Sequence, residues 1–97
     1  MPWVYILRCS DGSFYTGSTF DLERRIQEHA DGVGANFTRT RLPVELVFAE
    51  QSESVELAFI REKQIQGWSR RKKAAIIDGR WHDLPALSRA RGNTPPE

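Results

Sequence analysis

The sequence offers few means of stabilisation or anchoring beyond an ordinary hydrophobic core. Cys9 is the one cysteine among 97 residues, which excludes an internal disulfide and a cysteine-rich zinc site. We expect it to be a small buried hydrophobe. No apolar run approaches the ~20 residues that span a bilayer, and the first residues do not resemble a secretory leader. We therefore expect a cytoplasmic protein with no membrane partner.

Net charge is also small, at +1, but the charges are segregated along the chain. Basic residues concentrate at 38–41 and 69–73, whereas acidic residues concentrate at 50–56. This segregation is typical of a nucleic-acid-binding face. It is equally typical of a solvated helix beside a loop, so charge alone does not decide between the two.

Hydrophobic periodicity and turn residues predict a small α+β domain of order ββαβαα. The predicted strands are 3–7, 14–17 and 44–49, and the predicted helices are 21–30, one from Ser52 or Ser54 to Gly67, and one from Ser69 to Gly79. We expect a three-stranded antiparallel sheet flanked by helices, with a loop at 31–43. Residues 1–84 would form the single domain, and the polar residues 85–97 a loose tail.

The first predicted helix places a histidine beside its apolar stripe. Leu22 and Ile26 define the stripe, and His29 lies about 20° from Leu22 at 100° per residue. Arg25 precedes His29 by four residues, so their side chains are neighbours. Arg24 falls almost opposite the stripe and should be solvated, so any functional arginine here is Arg25.

The next predicted helix places a carboxylate on an apolar face. Val55, Ala58, Phe59 and Ile65 are expected to form one stripe, with Glu62 at its centre. An unpaired carboxylate there would lose its hydration, at a cost of several kcal/mol. An arginine, a metal ion or a water-filled gap must compensate, and a buried Glu–Arg pair is as good an explanation as a metal site.

Two tyrosines lie on the first two predicted strands, and the turn between them decides whether they cooperate. A two-residue turn would pair Arg8 with Tyr15 and place Tyr5 and Tyr15 on opposite faces. A loop one residue longer, or a bulge, would pair Leu7 with Tyr15 and bring both rings to one face. Taken alone, strand tyrosines are usually core residues.

Together these residues resemble the GIY-YIG nuclease family, particularly its small stand-alone bacterial members. The matching segments are Val4-Tyr5-Ile6 and Tyr15-Thr16-Gly17 for the two half-motifs, 21–29 for the family helix, 34–43 for the connecting segment, and 58–63 around Glu62. Each half-motif is weakly specific, whereas their ordered series over roughly residues 2–84 is strongly specific.

The resemblance implies an endonuclease that hydrolyses phosphodiester bonds, and it implies specific roles. Tyr5 would be the general base, Tyr15 would orient water or phosphate, Arg25 would clamp the phosphate, His29 would relay a proton, and Glu62 would bind the metal. Gly17 would leave room for the substrate backbone. Further basic residues are candidates for phosphate tracking: Arg39, Arg41, Arg70, Arg71 and Lys72.

One carboxylate ligand implies a single Mg²⁺, with Mn²⁺ able to substitute and weak affinity in the absence of nucleic acid. We expect a monomer acting on DNA, with a protein partner supplying any specificity. Two departures from the family matter: Ser18 replaces a lysine, and residues 77–81 lack an asparagine. A binding-only module of the same fold, or a protein-interaction domain with a structural Arg25–Glu62 pair, therefore remains an alternative.

Overall fold

The structure, a computed structural model, describes residues 1–79 and confirms the small α+β architecture. Its elements are β1 (Trp3–Arg8), β2 (Phe14–Thr19), α1 (Leu22–Ala30), α2 (Asn36–Arg39), β3 (Glu45–Gln51), α3 (Val55–Gln66) and α4 (Arg70–Ile77). The predicted domain boundary at residue 84 and the predicted tail of residues 85–97 lie outside the described residues.

The sheet is three-stranded and antiparallel in the order β2-β1-β3, with β1 at its centre. The turn between β1 and β2 is the longer of the two alternatives. The Cys9 amide donates to the Ser13 carbonyl at 2.8 Å, and Gly12 adopts a φ of 85° that favours glycine. This loop pairs Leu7 with Tyr15, so both tyrosines share one face of the sheet.

Alternation along β1 divides its side chains between two helical layers. Val4 and Ile6 project to one face and join the core with residues of α3 and α4, including Ile65 and Ile76. Tyr5 projects to the other face, where it meets α1. Cys9 is buried at 5% exposure, as expected for a small hydrophobe. The sheet is thus the middle of three layers, and the helices on its two faces come from different parts of the chain.

The helix boundaries follow their capping residues closely. The side chains of Asp21, Ser54 and Ser69 each accept a hydrogen bond from the backbone amide three residues later. Gly67 caps the end of α3. The predicted loop at 31–43 was wrong in part, because the short helix α2 forms within it. No helix in residues 1–79 is long and apolar enough to cross a membrane.

The predicted apolar stripe of α3 was also wrong in part. Ala58 and Ile65 are buried, whereas Val55 and Phe59 are 55% and 54% exposed. At 100° per residue, Phe59 lies about 100° from Ala58 but Glu62 only about 40° away. The buried line of α3 is therefore narrow, and Glu62 lies at its border rather than at its centre. This border position leaves the carboxylate partly accessible.

Candidate active site

Three aromatic side chains cluster beside β2, which is an edge strand of the described sheet. The rings of Tyr5 and Tyr15 have centroids 6.4 Å apart. The His29 ring lies 5.8 Å from Tyr5 and 5.3 Å from Tyr15. Tyr5 and His29 are almost completely buried, at 1% and 0% exposure, while Tyr15 is partly exposed. The cluster therefore has a buried part on β1 and α1 and an accessible part on β2.

Gly17 makes the position of the Tyr5 ring possible. A Cβ atom on Gly17 would lie 2.7 Å from the Tyr5 hydroxyl oxygen and 2.8 Å from its Cζ atom. No side chain fits at that separation, because the phenol lies directly against the backbone of β2. The absence of a side chain at Gly17 lets the Tyr5 hydroxyl reach the edge strand.

A chain of hydrogen bonds runs inward from the Tyr5 hydroxyl. Tyr5 Oη lies 2.9 Å from His29 Nε2, and His29 Nδ1 lies 2.8 Å from Thr38 Oγ1. The Thr38 hydroxyl in turn donates to the carbonyl oxygen of Ala35 at 3.1 Å. Gly34 packs against the imidazole so closely that a Cβ atom there would lie 2.4 Å from Nδ1. The imidazole is thus fixed in both position and orientation.

Burial keeps the Tyr5–His29 pair uncharged at neutral pH. Burial raises the pKa of Tyr5 to about 12, although Arg25 acts in the opposite direction and lowers this pKa. The nearby Tyr15 and Glu62 raise the pKa of Tyr5 further. Burial also lowers the pKa of His29, and the positive charge of Arg25 lowers it further. The resting site therefore holds a protonated phenol beside a neutral imidazole.

Arg25 is the arginine that reaches the site. Its side chain is 31% exposed and donates to Glu28 at 2.9 Å, while the Arg24 side chain is 77% exposed. Arg25 also lies close enough to Tyr5 to lower the pKa of its hydroxyl, against the larger opposite effect of burial. The predicted structural pair of Arg25 with Glu62 is wrong: in the described part of the chain, Arg25 pairs with Glu28 instead.

Glu62 approaches the edge of β2 from the opposite face of the sheet. Ser18 Oγ donates to Oε1 of Glu62 at 2.6 Å, and Gln66 Nε2 donates to its Oε2 at 2.9 Å. The same Gln66 amide also donates to the carbonyl oxygen of Thr16 at 3.2 Å, which satisfies a backbone group on the edge strand. Hydrogen bonds therefore offset the partial burial of this carboxylate without a cation.

Glu62 is the residue of this site whose oxygens could bind a divalent cation. Each carboxylate oxygen has one hydrogen bond in the structure, and an ionised carboxylate offers about four lone-pair positions. Within residues 1–79 no group of three or more His, Cys, Asp or Glu side chains could enclose a metal. Magnesium accepts such an open site, because it commonly keeps several waters and takes other ligands from substrate phosphates.

The predicted phosphate-tracking residues divide into accessible and buried ones. Arg39 and Arg71 are exposed. Arg41 pairs with Asp11 at 3.1 Å and Arg70 lies over the Phe14 ring, which places both near the β1–β2 turn. Lys72 is only 7% exposed, and its ammonium lies 4.4 Å from the centroid of the Trp68 ring. That burial counts against Lys72 as a phosphate contact.

Several residues that organise the site were not identified from the sequence. Glu28 could have been found, because it follows Arg25 by three residues on one helix. Gln66 could have been found in the same way, because it follows Glu62 by four residues on one helix. Ser18, Gly34 and Thr38 carry no local signal of this kind, because each contacts a site residue outside its own strand, loop or helix and only the packing of the elements brings them together.

Comparisons with known proteins show what this chain is similar to. A family model described as the GIY-YIG catalytic domain matches residues 1–75. A UPF0213 protein of Natronomonas pharaonis is 47% identical over 75 residues, covering 77% of this chain and 88% of that protein. One from Staphylococcus saprophyticus is 44% identical over 75 residues, covering 77% and 92%.

Two solved structures share the fold, both determined by solution NMR. A UPF0213 protein of Bacillus halodurans is 47% identical with a TM-score of 0.52, covering 80% of this chain and 84% of that one. A protein of E. faecalis is 35% identical with a TM-score of 0.54, covering 79% and 82%.

Proposed function

The chain belongs to the GIY-YIG family, and from that premise we propose that it is a metal-dependent endonuclease that hydrolyses phosphodiester bonds in DNA. One observation carries the proposal. Tyr5, His29 and Arg25 reach the edge of β2 from one face of the sheet, and Glu62 reaches it from the other. A phosphate at this edge could meet a base, a cation and a metal ligand together.

The first task of the site is to hold the scissile phosphate, which we assign to Arg25. Its guanidinium presents a fixed fork of donors that suits phosphate oxygens. Glu28 already orients it at 2.9 Å, so little conformational entropy remains to be lost on binding. A bound phosphate would offset the positive charge of Arg25, which is the second cause of the lowered pKa of His29. Substrate binding would therefore make His29 a better proton acceptor.

The second task is proton removal from the attacking water, which we assign to Tyr5. With a pKa of about 12, only about one phenol in 10⁵ is ionised at pH 7. A free phenolate is thus too scarce to be the resting base. Instead, Tyr5 Oη takes the water proton while its own proton passes along the 2.9 Å hydrogen bond to Nε2 of His29. The water oxygen then attacks phosphorus, the bond between phosphorus and the 3′ oxygen breaks, and the 3′ oxygen takes a proton from solvent. The extra proton on His29 returns through Tyr5 to solvent.

Glu62 is the residue that would hold the metal, with substrate phosphate and water as the other ligands. A bound divalent cation supplies positive charge against the developing phosphorane and lowers the pKa of water. Ser18 and Gln66 fix both carboxylate oxygens, so the direction of the remaining lone pairs is set before a cation binds.

The substrate backbone would lie along the accessible edge of β2. Arg41 and Arg70 lie at the turn end of this edge, and Glu62 lies beside Ser18. Ser18 follows Phe14 by four residues of strand, or roughly 13 Å, which corresponds to about four phosphate spacings along one strand of duplex DNA. Arg39→Ala and Arg70→Ala should weaken binding uniformly across sequences and reduce the salt slope by about 1 each.

The decisive experiment is a cleavage assay with a matched pair of variants on one helix. Wild type, Glu62→Ala and Glu56→Ala, the last at an exposed position of α3, are incubated with labelled single-stranded, duplex and branched DNA. Each mixture contains Mg²⁺, Mn²⁺ or chelator. We expect metal-dependent cleavage by wild type and Glu56→Ala, and none by Glu62→Ala.

The other outcomes separate the remaining functions. Shifted bands without cleavage by wild type would refute the enzyme and support a binding-only module. Neither binding nor cleavage would refute both and favour a protein-interaction domain. Equal cleavage by wild type and Glu62→Ala would reveal a contaminating nuclease.

A further inference from the structure

His29 makes one hydrogen bond with each ring nitrogen, and its neutral form carries only one proton. The location of that proton decides the direction of the whole chain. If Nδ1 carries it, Nε2 can accept the Tyr5 proton. If Nε2 carries it, His29 donates to Tyr5 and cannot act as the acceptor. We propose that Thr38 is a positioning residue that holds His29 in the Nδ1–H tautomer, so that Nε2 is the proton acceptor.

The Thr38 end of the chain supports this direction. The Thr38 hydroxyl has a single hydrogen, which it donates to the carbonyl oxygen of Ala35 at 3.1 Å. Its oxygen lies 2.8 Å from Nδ1, and two groups at that distance need one hydrogen between them. With the hydroxyl hydrogen engaged by Ala35, the hydrogen between Thr38 and His29 belongs to Nδ1.

The Tyr5 end agrees with this direction. Arg25 lies close enough to Tyr5 to lower its pKa, against the larger opposite effect of burial, and a guanidinium can only donate. The Tyr5 hydrogen therefore points away from Arg25, and within residues 1–79 the structure gives it Nε2 of His29, 2.9 Å from Oη. In the opposite tautomer Nε2 would donate to Tyr5 Oη, and the Tyr5 hydrogen would have no acceptor in those residues. A buried donor without an acceptor lowers the free energy of unfolding.

The surroundings prevent His29 from adapting by rotation. Thr38 and His29 are both 0% exposed, and Gly34 packs against the ring so closely that no Cβ atom would fit. Water therefore cannot easily replace the Thr38 hydroxyl. The tautomer, which sets the direction of the Tyr5 proton, is determined by α2, a helix that carries none of the predicted catalytic residues.

The test is the ¹⁵N NMR spectrum of the histidine side chains in the full-length protein at pH 7.5, where neutral His29 reports its tautomer directly. The chain has two histidines, so His29→Gln identifies which resonances belong to His29. We expect Nδ1–H in wild type, Nδ1–H in Thr38→Ser, and a population shifted to Nε2–H in the isosteric Thr38→Val. Nε2–H in wild type would overturn the proposal, as would an unchanged tautomer in Thr38→Val.

The wild-type spectrum alone remains a test if Thr38→Val does not fold. A second arm rests on the proposed nuclease function: kcat should fall about 10- to 10²-fold in Thr38→Val, with KM nearly unchanged and recovery in Thr38→Ser. A cleaving wild type with the wrong tautomer refutes the role of Thr38 but not the nuclease. If the tautomers are as expected but the protein does not cleave DNA, the proposed nuclease function is refuted while the positioning role of Thr38 stands.

Discussion

Gly17→Ala should disturb the site strongly, because the added methyl group would meet the phenol of Tyr5. The new Cβ would lie 2.7 Å from Tyr5 Oη and 2.8 Å from Cζ, with Tyr15 Cε2 at 3.1 Å. Ordinary contact begins at 3.4 Å, so the phenol or the strand must move by about 0.7 Å. The Tyr5 ring is 99% buried, and a well-packed interior yields to such a displacement only at a cost.

We expect two separable effects from this one methyl group. Overpacking of this kind lowers the free energy of unfolding by about 1–3 kcal/mol, which lowers Tm by at least about 4 °C in a domain of this size. Displacement of the phenol also disturbs its 2.9 Å hydrogen bond to His29. A misplacement near 1 Å can cost about 10²-fold in rate, so cleavage should fall by more than the change in stability explains.

The assays are urea unfolding followed by tryptophan fluorescence, and cleavage of labelled DNA at a temperature where every variant is folded. Gly67→Ala is the matched control, because Gly67 is exposed and has a φ of −82°. A Cβ atom added there would lie at least 3.5 Å from the nearest atoms outside its chain neighbours. It should be neutral or stabilising by about 0.4–1 kcal/mol. If Gly17→Ala matched Gly67→Ala in both stability and cleavage, the close approach of Tyr5 to Gly17 would be disproved.

Three further outcomes follow from the buried groups. Tyr5→Phe should bind DNA as wild type does yet cleave it about 10²- to 10⁴-fold more slowly, and loss of binding in a gel-shift assay would contradict a role confined to proton transfer. Folding lowers the pKa of His29 from 6.5, so the unfolded chain takes up a proton first as pH falls. The free energy of unfolding should therefore decline below about pH 6.5 and become constant below the folded pKa. Urea titrations between pH 7.5 and 4.5 should show this decline in wild type but not in His29→Gln. If the free energies of unfolding of the two proteins ran parallel with pH, His29 would be excluded as the source of the decline. Thr16→Val should raise Tm, since the Thr16 hydroxyl is buried with no hydrogen-bond partner in residues 1–79; a lowered Tm would mean that a partner had been lost.

Much of the fold could be predicted because its signals are local. Asp21, Ser54 and Ser69 are among the capping residues that the sequence offers, and the β-branched and aromatic residues of β1 identify a buried strand. The same helical geometry selects Arg25 over Arg24, and the structure agrees. Each of these features depends on residues that are close together in the sequence, so no tertiary information is needed to find them.

Glu62 is the site residue whose structural surroundings differ most from those that the sequence predicts. The sequence correctly indicates that this carboxylate needs compensation, but Val55 and Phe59 are exposed, so the apolar face around it is narrower than predicted. The compensating groups are Ser18 and Gln66 rather than Arg25. Helical periodicity gives the relative direction of side chains, whereas the width of the buried face depends on what packs against the helix.

The sequence by itself determined every element of residues 1–79 except α2, as well as the family and the residue types that the proposed chemistry needs. Only the tertiary structure decided the register that brings Tyr5 and Tyr15 to one face, because a one-residue change in the β1–β2 turn would have separated them. It also decided that Thr38 meets His29, nine residues away, and that Ser18 meets Glu62, 44 residues away. Contacts at such separations depend on how the helices pack on the two faces of the sheet, and no local pattern records that packing.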